Sequence, residues 1–328
     1  MTATVICDTP ADIMMLTHRV RARDLFVTGP GIPLGDGVYR VPLRFPYEHP
    51  FYAPASAPAA GLDPLLLIEA MRQASIMVSH TGLGVPPDHH FMLTEMAFAC
   101  RPRAARTDGR PVDMELDIEV REIRRRAGRP TAMRCAWTLR RGAEIAARAR
   151  ASTRYCAPVI YERLRGGRPP LARVPRRYPL LPAESVGRTA QRDVLLAADG
   201  GQASWLLSVD TGHPTLFQHA NDHVPGMVLL EAARQAATVA VPGPFAMTAG
   251  HIFFRNYAEL DEPCVITARA RPGGVGPGGT RVGVEAWQDG RQVFSSLLVA
   301  AGAHGTPGVA PVSSGVAREV CPVAAPPV

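Results

Sequence analysis

The 328 residues contain no lysine: all 36 basic positions are arginine, which gives a net charge of +7. Without a lysine amine there is no Schiff-base nucleophile, no pyridoxal phosphate linkage and no P-loop lysine, so the chemistry must come from carboxylate, His, Cys or Arg. Aromatics are scarce at 6%, and no basic stripe interleaved with them and no helix-turn-helix pattern appears, which argues against a nucleic-acid partner. The six cysteines are scattered with no CxxC pair, so neither a zinc ribbon nor a disulfide scaffold is indicated. No window supplies the roughly 20 apolar residues of a membrane span, and the amino end lacks the basic patch and apolar run of a secretion signal. A soluble cytoplasmic protein is the expectation.

What is present is a globular composition, 46% apolar and 20% charged, long enough for two cores, and an internal repeat. Leu62–Ser75 reads LDPLLLIEAMRQAS and His219–Ala236 reads HANDHVPGMVLLEAARQA. Around each lies the same series: two β-rich runs about a Gly-bearing turn (24–43 and 193–210), a His-Pro pair (His49-Pro50 and His213-Pro214), the apolar helix (65–78 and 227–241) and several strands. The later strands are expected at 91–100, 112–125, 131–140 and 143–156, and at 246–256, 263–271, 280–288 and 291–301. Residues 15–160 and 189–303 are the two repeats. An exposed Arg/Pro-rich linker is expected over 161–188 and a disordered Pro/Ala/Gly tail over 304–328.

A helix apolar on every side is buried on every side. At about 100° per residue, Glu69, Arg72 and Gln73, and likewise Glu231, Arg234 and Gln235, share one face roughly 100° wide. Burying such ions costs several kcal/mol each unless they pair or meet a cleft. They are either internal ion pairs that orient the helix, or a carboxylate base and an anion-holding arginine lining a tunnel. The HxxxH of His219 and His223 is broken from any helix by Pro225, so a metal site is not expected; these residues and Asp222 are either loop groups that bind phosphate or complete an acid–base set, or, for Asp222, a helix cap. His49 and His213 are expected to shape turns, and His89 and His90 to lie on a surface loop.

A long helix preceded by PG and carrying EAxxQ resembles the hotdog fold of acyl-carrier-protein dehydratases and thioesterases, although Phe217 stands where a dehydratase has its histidine. The doubled helix, the Arg three residues after each Glu, and HPTLFQHANDHVPGMVLLEAARQA at 213–236 together resemble the A-factor biosynthesis (AfsA-like) family. The resemblance covers about 15–302 and implies an α+β double hotdog packed as a pseudo-dimer, with no cofactor. It implies a synthase that joins a β-ketoacyl group from acyl carrier protein to dihydroxyacetone phosphate, followed by ring closure to a γ-butyrolactone or furan signal precursor. On that reading Glu231 and Glu69 are bases of raised pKa, Arg234 and Arg72 hold the phosphate or oxyanion, and His219, Asp222, His223, Gln235 and Gln73 bind substrate. The main reaction is expected in the second repeat, where His219, Asp222 and His223 precede Glu231. The linker arginines, six between Arg163 and Arg177, are expected to steer an acidic carrier, and a homodimer is open. A thioesterase or dehydratase acting on the same thioesters, and a non-catalytic acyl or butyrolactone binder, remain as alternatives.

Overall fold

The computed structural model describes residues 9–52, 61–101, 104–107, 109–166, 175–273 and 279–300. The first repeat opens with the short helix α1, Pro10–Leu16, whose Thr9 cap and Asp12 satisfy each other's backbone amides. A hairpin follows, β1 (Ile32–Gly35) and β2 (Val38–Phe45). Its two-residue loop, Asp36-Gly37, has both φ angles positive at 49° and 74°, the backbone that matches right-handed strand twist. Helix α2, Pro64–Thr81, starts where sequence chemistry directs: Pro64 needs no hydrogen-bond partner at the first turn, and the Asp63 carboxylate accepts from Leu65 N at 2.8 Å. Four long strands complete the repeat: β3 (His90–Cys100), β4 (Val112–Arg126), β5 (Arg129–Arg141) and β6 (Glu144–Cys156). Helix α3, Pro158–Leu164, leads out.

The second repeat has β7 (Leu196–Ala198), β8 (Ser204–Leu207), helix α4 (Gly226–Ala240), and strands β9 (Met247–Phe254), β10 (Val265–Pro272), β11 (Thr280–Gln288) and β12 (Arg291–Ala300). Every expected helix and long strand is present within a few residues of its expected bounds. The tail 304–328 lies outside the described residues, as do Cys7 and Cys321. No described helix is long and apolar enough to cross a membrane.

All twelve strands form one sheet in the order β1-β2-β4-β5-β6-β3-β9-β12-β11-β10-β8-β7. Read outward from its centre, the order is the same on both sides once each strand is matched to its repeat partner, which is the signature of a pseudo-two-fold. The seam is the antiparallel pair β3–β9, centred on Ala97↔His251. Gly250 permits it: a Cβ there would lie 2.7 Å from Phe98 Cε1 and 3.1 Å from Leu298 Cδ2. His251 Nε2 donates across the seam to Glu95 at 2.7 Å. Both central helices lie against the sheet and approach one another, and Leu65, Leu67, Met71, Ala74 and Met77 of α2 are buried completely, as an all-round apolar helix requires.

Candidate active site

The polar face of α2 is assembled from two directions. Glu69 takes a bidentate pair from Arg72, with Nε to Oε2 at 2.9 Å and Nη2 to Oε1 at 3.0 Å. A second guanidinium, Arg19 Nη1, stands 3.2 Å from Oε1. The amide of Gln73 donates to Glu69 Oε1 and to the Asp24 carbonyl, each at 2.8 Å, and its oxygen accepts from Phe26 N at 3.0 Å. The Asp24 carboxylate is held by His49 Nε2 at 3.0 Å, while His49 Nδ1 accepts from Phe51 N and Tyr52 N. His49 therefore shapes the turn, as its place before the helix suggests.

The second repeat copies this arrangement residue for residue, with its second arginine held more closely. Glu231 is held by Arg234 at 2.9 Å through both donors, by Arg188 at 2.7–2.8 Å, and by Gln235 at 2.6 Å. Gln235 bridges to Asp193 O and Leu195 N, and His213 holds Asp193 at 3.0 Å while its Nδ1 accepts from Thr215 N and Leu216 N. The sequence reading missed Arg19, Asp24, Arg188 and Asp193. A signal was there: RVRARD at 19–24 and RTAQRD at 188–193 share R-x-x-x-R-D. The two glutamines, expected to bind substrate, have every amide atom engaged within the fold and do not reach the cavity described below, because a buried amide that ties a turn to a helix has no bond left to offer.

The second arginine changes the carboxylates' chemistry. Burial by itself raises a carboxyl pKa, but Arg19 with Arg72 outweighs it for Glu69, and Arg188 with Arg234 for Glu231, so each is held down at about 2. The expected raised-pKa base is thus replaced by a fully ionised anchor for two guanidinium groups. A carboxylate this stable is a poor proton acceptor near neutral pH.

The clusters differ in what they face. A cavity of about 1010 Å³ is lined by Arg19, Glu69 and Arg72 of the first repeat and, across it, by Leu216, His219, His223 and Met227 of the second. Glu231 and Arg234 are absent from its walls. Glu231 is fully buried, Arg188 donates to the Phe51 carbonyl and lies 4.1 Å over the Phe51 ring, and the buried carboxyl of Asp63 is close enough to act on Arg234. The expectation that His219 and His223 serve Glu231 is corrected: residues next to one helix in sequence cross the pseudo-two-fold and face the cluster of the other repeat.

Above the cavity, Asp222 accepts from Tyr161 Oη at 2.8 Å, Arg165 Nε at 2.7 Å and His223 Nδ1 at 2.7 Å. Burial opposes ionisation there, yet these three donors keep the carboxyl well below its usual range. Arg165 also forks onto Glu259 at 2.8 Å through both terminal nitrogens. The linker start is therefore pinned to the second repeat, and Arg165 is buried where an exposed charge was expected. Asp222 is not a helix cap, since Pro225 holds that place. His90, expected on a surface loop, begins β3 and stacks on Tyr161 at 3.7 Å. Among the described residues no three His, Cys, Asp or Glu side chains are grouped to hold a metal ion.

Fold and site together define a fused pair of hotdog repeats with a large, partly apolar cavity at their interface and an arginine-flanked carboxylate in its wall. The chain belongs to the A-factor biosynthesis hotdog domain (AfsA) family, whose model matches residues 5–157 and 172–296. It is 42% identical over 287 residues to the 2-oxo-3-(phosphooxy)propyl 3-oxoalkanoate synthase of Streptomyces coelicolor, covering 87% of this chain and 90% of that one. The synthase of the same name from Streptomyces griseus is 41% identical over 298 residues, 90% and 97% of the two chains. In fold alone, the chain is similar to the crystal structure of a putative oleoyl thioesterase from Lactobacillus plantarum, with a TM-score of 0.50 at 11% identity over 84% of this chain and 99% of that one.

Proposed function

We propose that this chain is an enzyme that makes a 2-oxo-3-(phosphooxy)propyl 3-oxoalkanoate, by transferring a β-ketoacyl group from an acyl carrier protein thioester to the hydroxyl of dihydroxyacetone phosphate. The observation that carries this reading is the double character of the cavity. One part of its wall offers two guanidinium groups to one carboxylate, Arg19 and Arg72 around Glu69; elsewhere the wall is apolar, with Ile68, Ile76, Met96, Met133 and Trp137. A phosphate and an acyl chain need those two environments at once, and the volume is at the upper end for small-molecule sites, as a two-substrate reaction requires.

In this reading Glu69 aligns the two arginines, whose remaining N–H groups hold the phosphate or the oxyanion that develops as the thioester carbonyl is attacked. His219 and His223, the latter oriented by Asp222, complete the wall on the second-repeat side. Acyl transfer needs no cofactor. Ring closure to the butenolide or furan precursor follows from the product, whose acidic carbon between two carbonyls lies within reach of the triose ketone. A carrier-bound substrate suits a cytoplasmic reaction, and no described helix is long and apolar enough to cross a membrane. Exposed Arg163, Arg176 and Arg177 remain to favour an acidic carrier by steering, whereas Arg165 is engaged internally.

Mass spectrometry of products from purified protein given β-ketoacyl thioesters of several lengths tests the proposal. A phosphorylated ester is expected only when dihydroxyacetone phosphate is present. Free acid released at the same rate without the triose phosphate would identify a thioesterase instead.

A further inference from the structure

The reaction needs a group that accepts the hydroxyl proton and returns it to the departing sulfur, and both Glu69 oxygens are already engaged by Arg72, Arg19 and Gln73. A histidine in the same wall has a position that packing alone does not explain. His18 follows α1 in the left-handed region, with φ +56°. The second repeat builds the same helix ending: Gly187, at φ +71°, precedes Arg188 as His18 precedes Arg19. In both, the next residue's amide bonds back five residues, Arg19 N to Met14 O and Arg188 N to Ala183 O, each at 2.8 Å. Glycine is the usual residue at such a helix end, and a side chain there costs about 1 kcal/mol of backbone strain. The first repeat carries that cost with an imidazole that lines the cavity beside Arg19 and Arg72.

The ring is also held in one tautomer. His80 Nδ1 lies 2.8 Å from the Val85 carbonyl, which only accepts, so that nitrogen carries the proton and His80 Nε2 carries a lone pair. His18 Nε2, 3.0 Å from that lone pair, must then be the donor. His18 Nδ1 is left as an acceptor with no partner among the described residues. The arrangement is specific to the first repeat, because the position matching His80 in the second is Pro242, just beyond the end of α4.

We infer that His18 is the catalytic base of the first-repeat cavity and that His80 is its positioning residue. This rests on the ester-forming reading above. In the step, His18 Nδ1 takes the proton of the triose hydroxyl as the new C–O bond forms. His80 Nε2 keeps accepting from the His18 Nε2–H at 3.0 Å and so steadies the imidazolium that forms. When the tetrahedral intermediate collapses, the C–S bond breaks, His18 Nδ1 gives its proton to the thiolate, and the ring ends neutral. Burial, His80 and then Arg72 and Arg19 hold the empty-site His18 down at about 3. In the empty site that makes the imidazole a weak base, and its basicity rises only as a phosphate dianion on Arg19 and Arg72 offsets their charge.

His18→Gly tests this with little risk to folding, since glycine is the residue the second repeat already uses there. Ester formation by the unaltered protein checks the underlying reading; the ratio of variant to unaltered turnover checks this one. His18→Gly is expected to stay folded, to lose about 100-fold in kcat with little change in KM for dihydroxyacetone phosphate, and to regain turnover when imidazole is added to the assay. His80→Gln, whose amide oxygen can still accept from His18, should retain most activity, whereas His80→Leu should not. A folded His18→Gly protein with unaltered kcat would overturn the inference, as would a loss that appears only in KM. Loss in His223→Gln together with normal turnover in His18→Gly would move the base to the Asp222–His223 pair.

Discussion

The Glu69 and Glu231 clusters are built from matching residues, but their surroundings differ. Around Glu69, Arg72 is 30% exposed and the cluster forms part of the cavity wall; around Glu231, Arg234 is 18% and Arg188 5% exposed, and neither Glu231 nor Arg234 reaches that cavity. The difference extends along the helices. Where α2 has Ser75, Ser79 and His80, the second repeat has Ala237, Val241 and Pro242. Where α4 begins at Pro225 without a side-chain cap, α2 begins at Asp63, whose buried carboxyl faces the Glu231 cluster. One duplicated ion cluster thus forms part of the cavity wall and the other an internal brace. Matching residues do not imply matching roles; what decides is the free volume beside them.

The largest expected contrast is in stability. Glu231→Gln leaves Arg188 and Arg234 buried without their carboxylate and should destabilise by about 3–5 kcal/mol, while Glu69→Gln, whose Arg72 reaches the cavity, should lose clearly less. Denaturant unfolding of the two variants measures this, and equal losses would end the distinction between wall and brace. Next is turnover. Arg72→Gln should reduce ester formation about 100-fold or more in a folded protein, the scale for removing a preorganised oxyanion or phosphate donor, and Arg234→Gln should leave it near normal once folding is verified. The reverse result would return the reaction to the second repeat.

The smallest contrast is in acid. Both carboxyls are held at about 2 against an ordinary 4.5. A depressed folded-state pKa contributes stability that is complete above the unfolded value and is lost as the pH falls through the folded one. Acid unfolding of the unaltered protein should therefore develop between about pH 4.5 and 2. Each Glu→Gln variant should have a shallower dependence in that window, and by a similar amount, since the shifts match. A stability that does not change over that window would refute the two-arginine account of both sites.

Much of this was legible in the sequence. The apolar stretches LLLIEAM and MVLLEAA, with Pro64 and Pro225 at their starts, fix the helices, and the repeated order of strand runs gives the pseudo-dimer. The roles within the site were harder to read. A Glu with one Arg three residues later reads as a pair or a base; the second arginine that settles its ionisation comes from a distant turn, Arg19 or Arg188, and only the tertiary fold brings it there. His219 and His223 were assigned to the wrong cluster for a similar reason: chain proximity cannot show which side of a two-fold a loop faces. His18 was visible only as an imperfect repeat, THR against VGR, and its meaning depends on a backbone angle that sequence spacing does not carry.

The β3–β9 seam has a consequence for how this chain is made. Its partners, Glu95–Ala99 and Ala249–Phe253, are separated by more than half of the described sequence. During synthesis the first repeat can order while β3 is still an edge strand, its backbone groups on the β9 side unpaired and Phe98 waiting for the space that Gly250 provides. Closing the sheet is a late, long-range event, slow by the loop that must be closed, and the cavity, lined from both repeats, exists only after it. A ribosome-bound first repeat is thus an incomplete catalyst with an adhesive edge, and the interval before residue 254 emerges is when this protein is most exposed to pairing with another copy of itself.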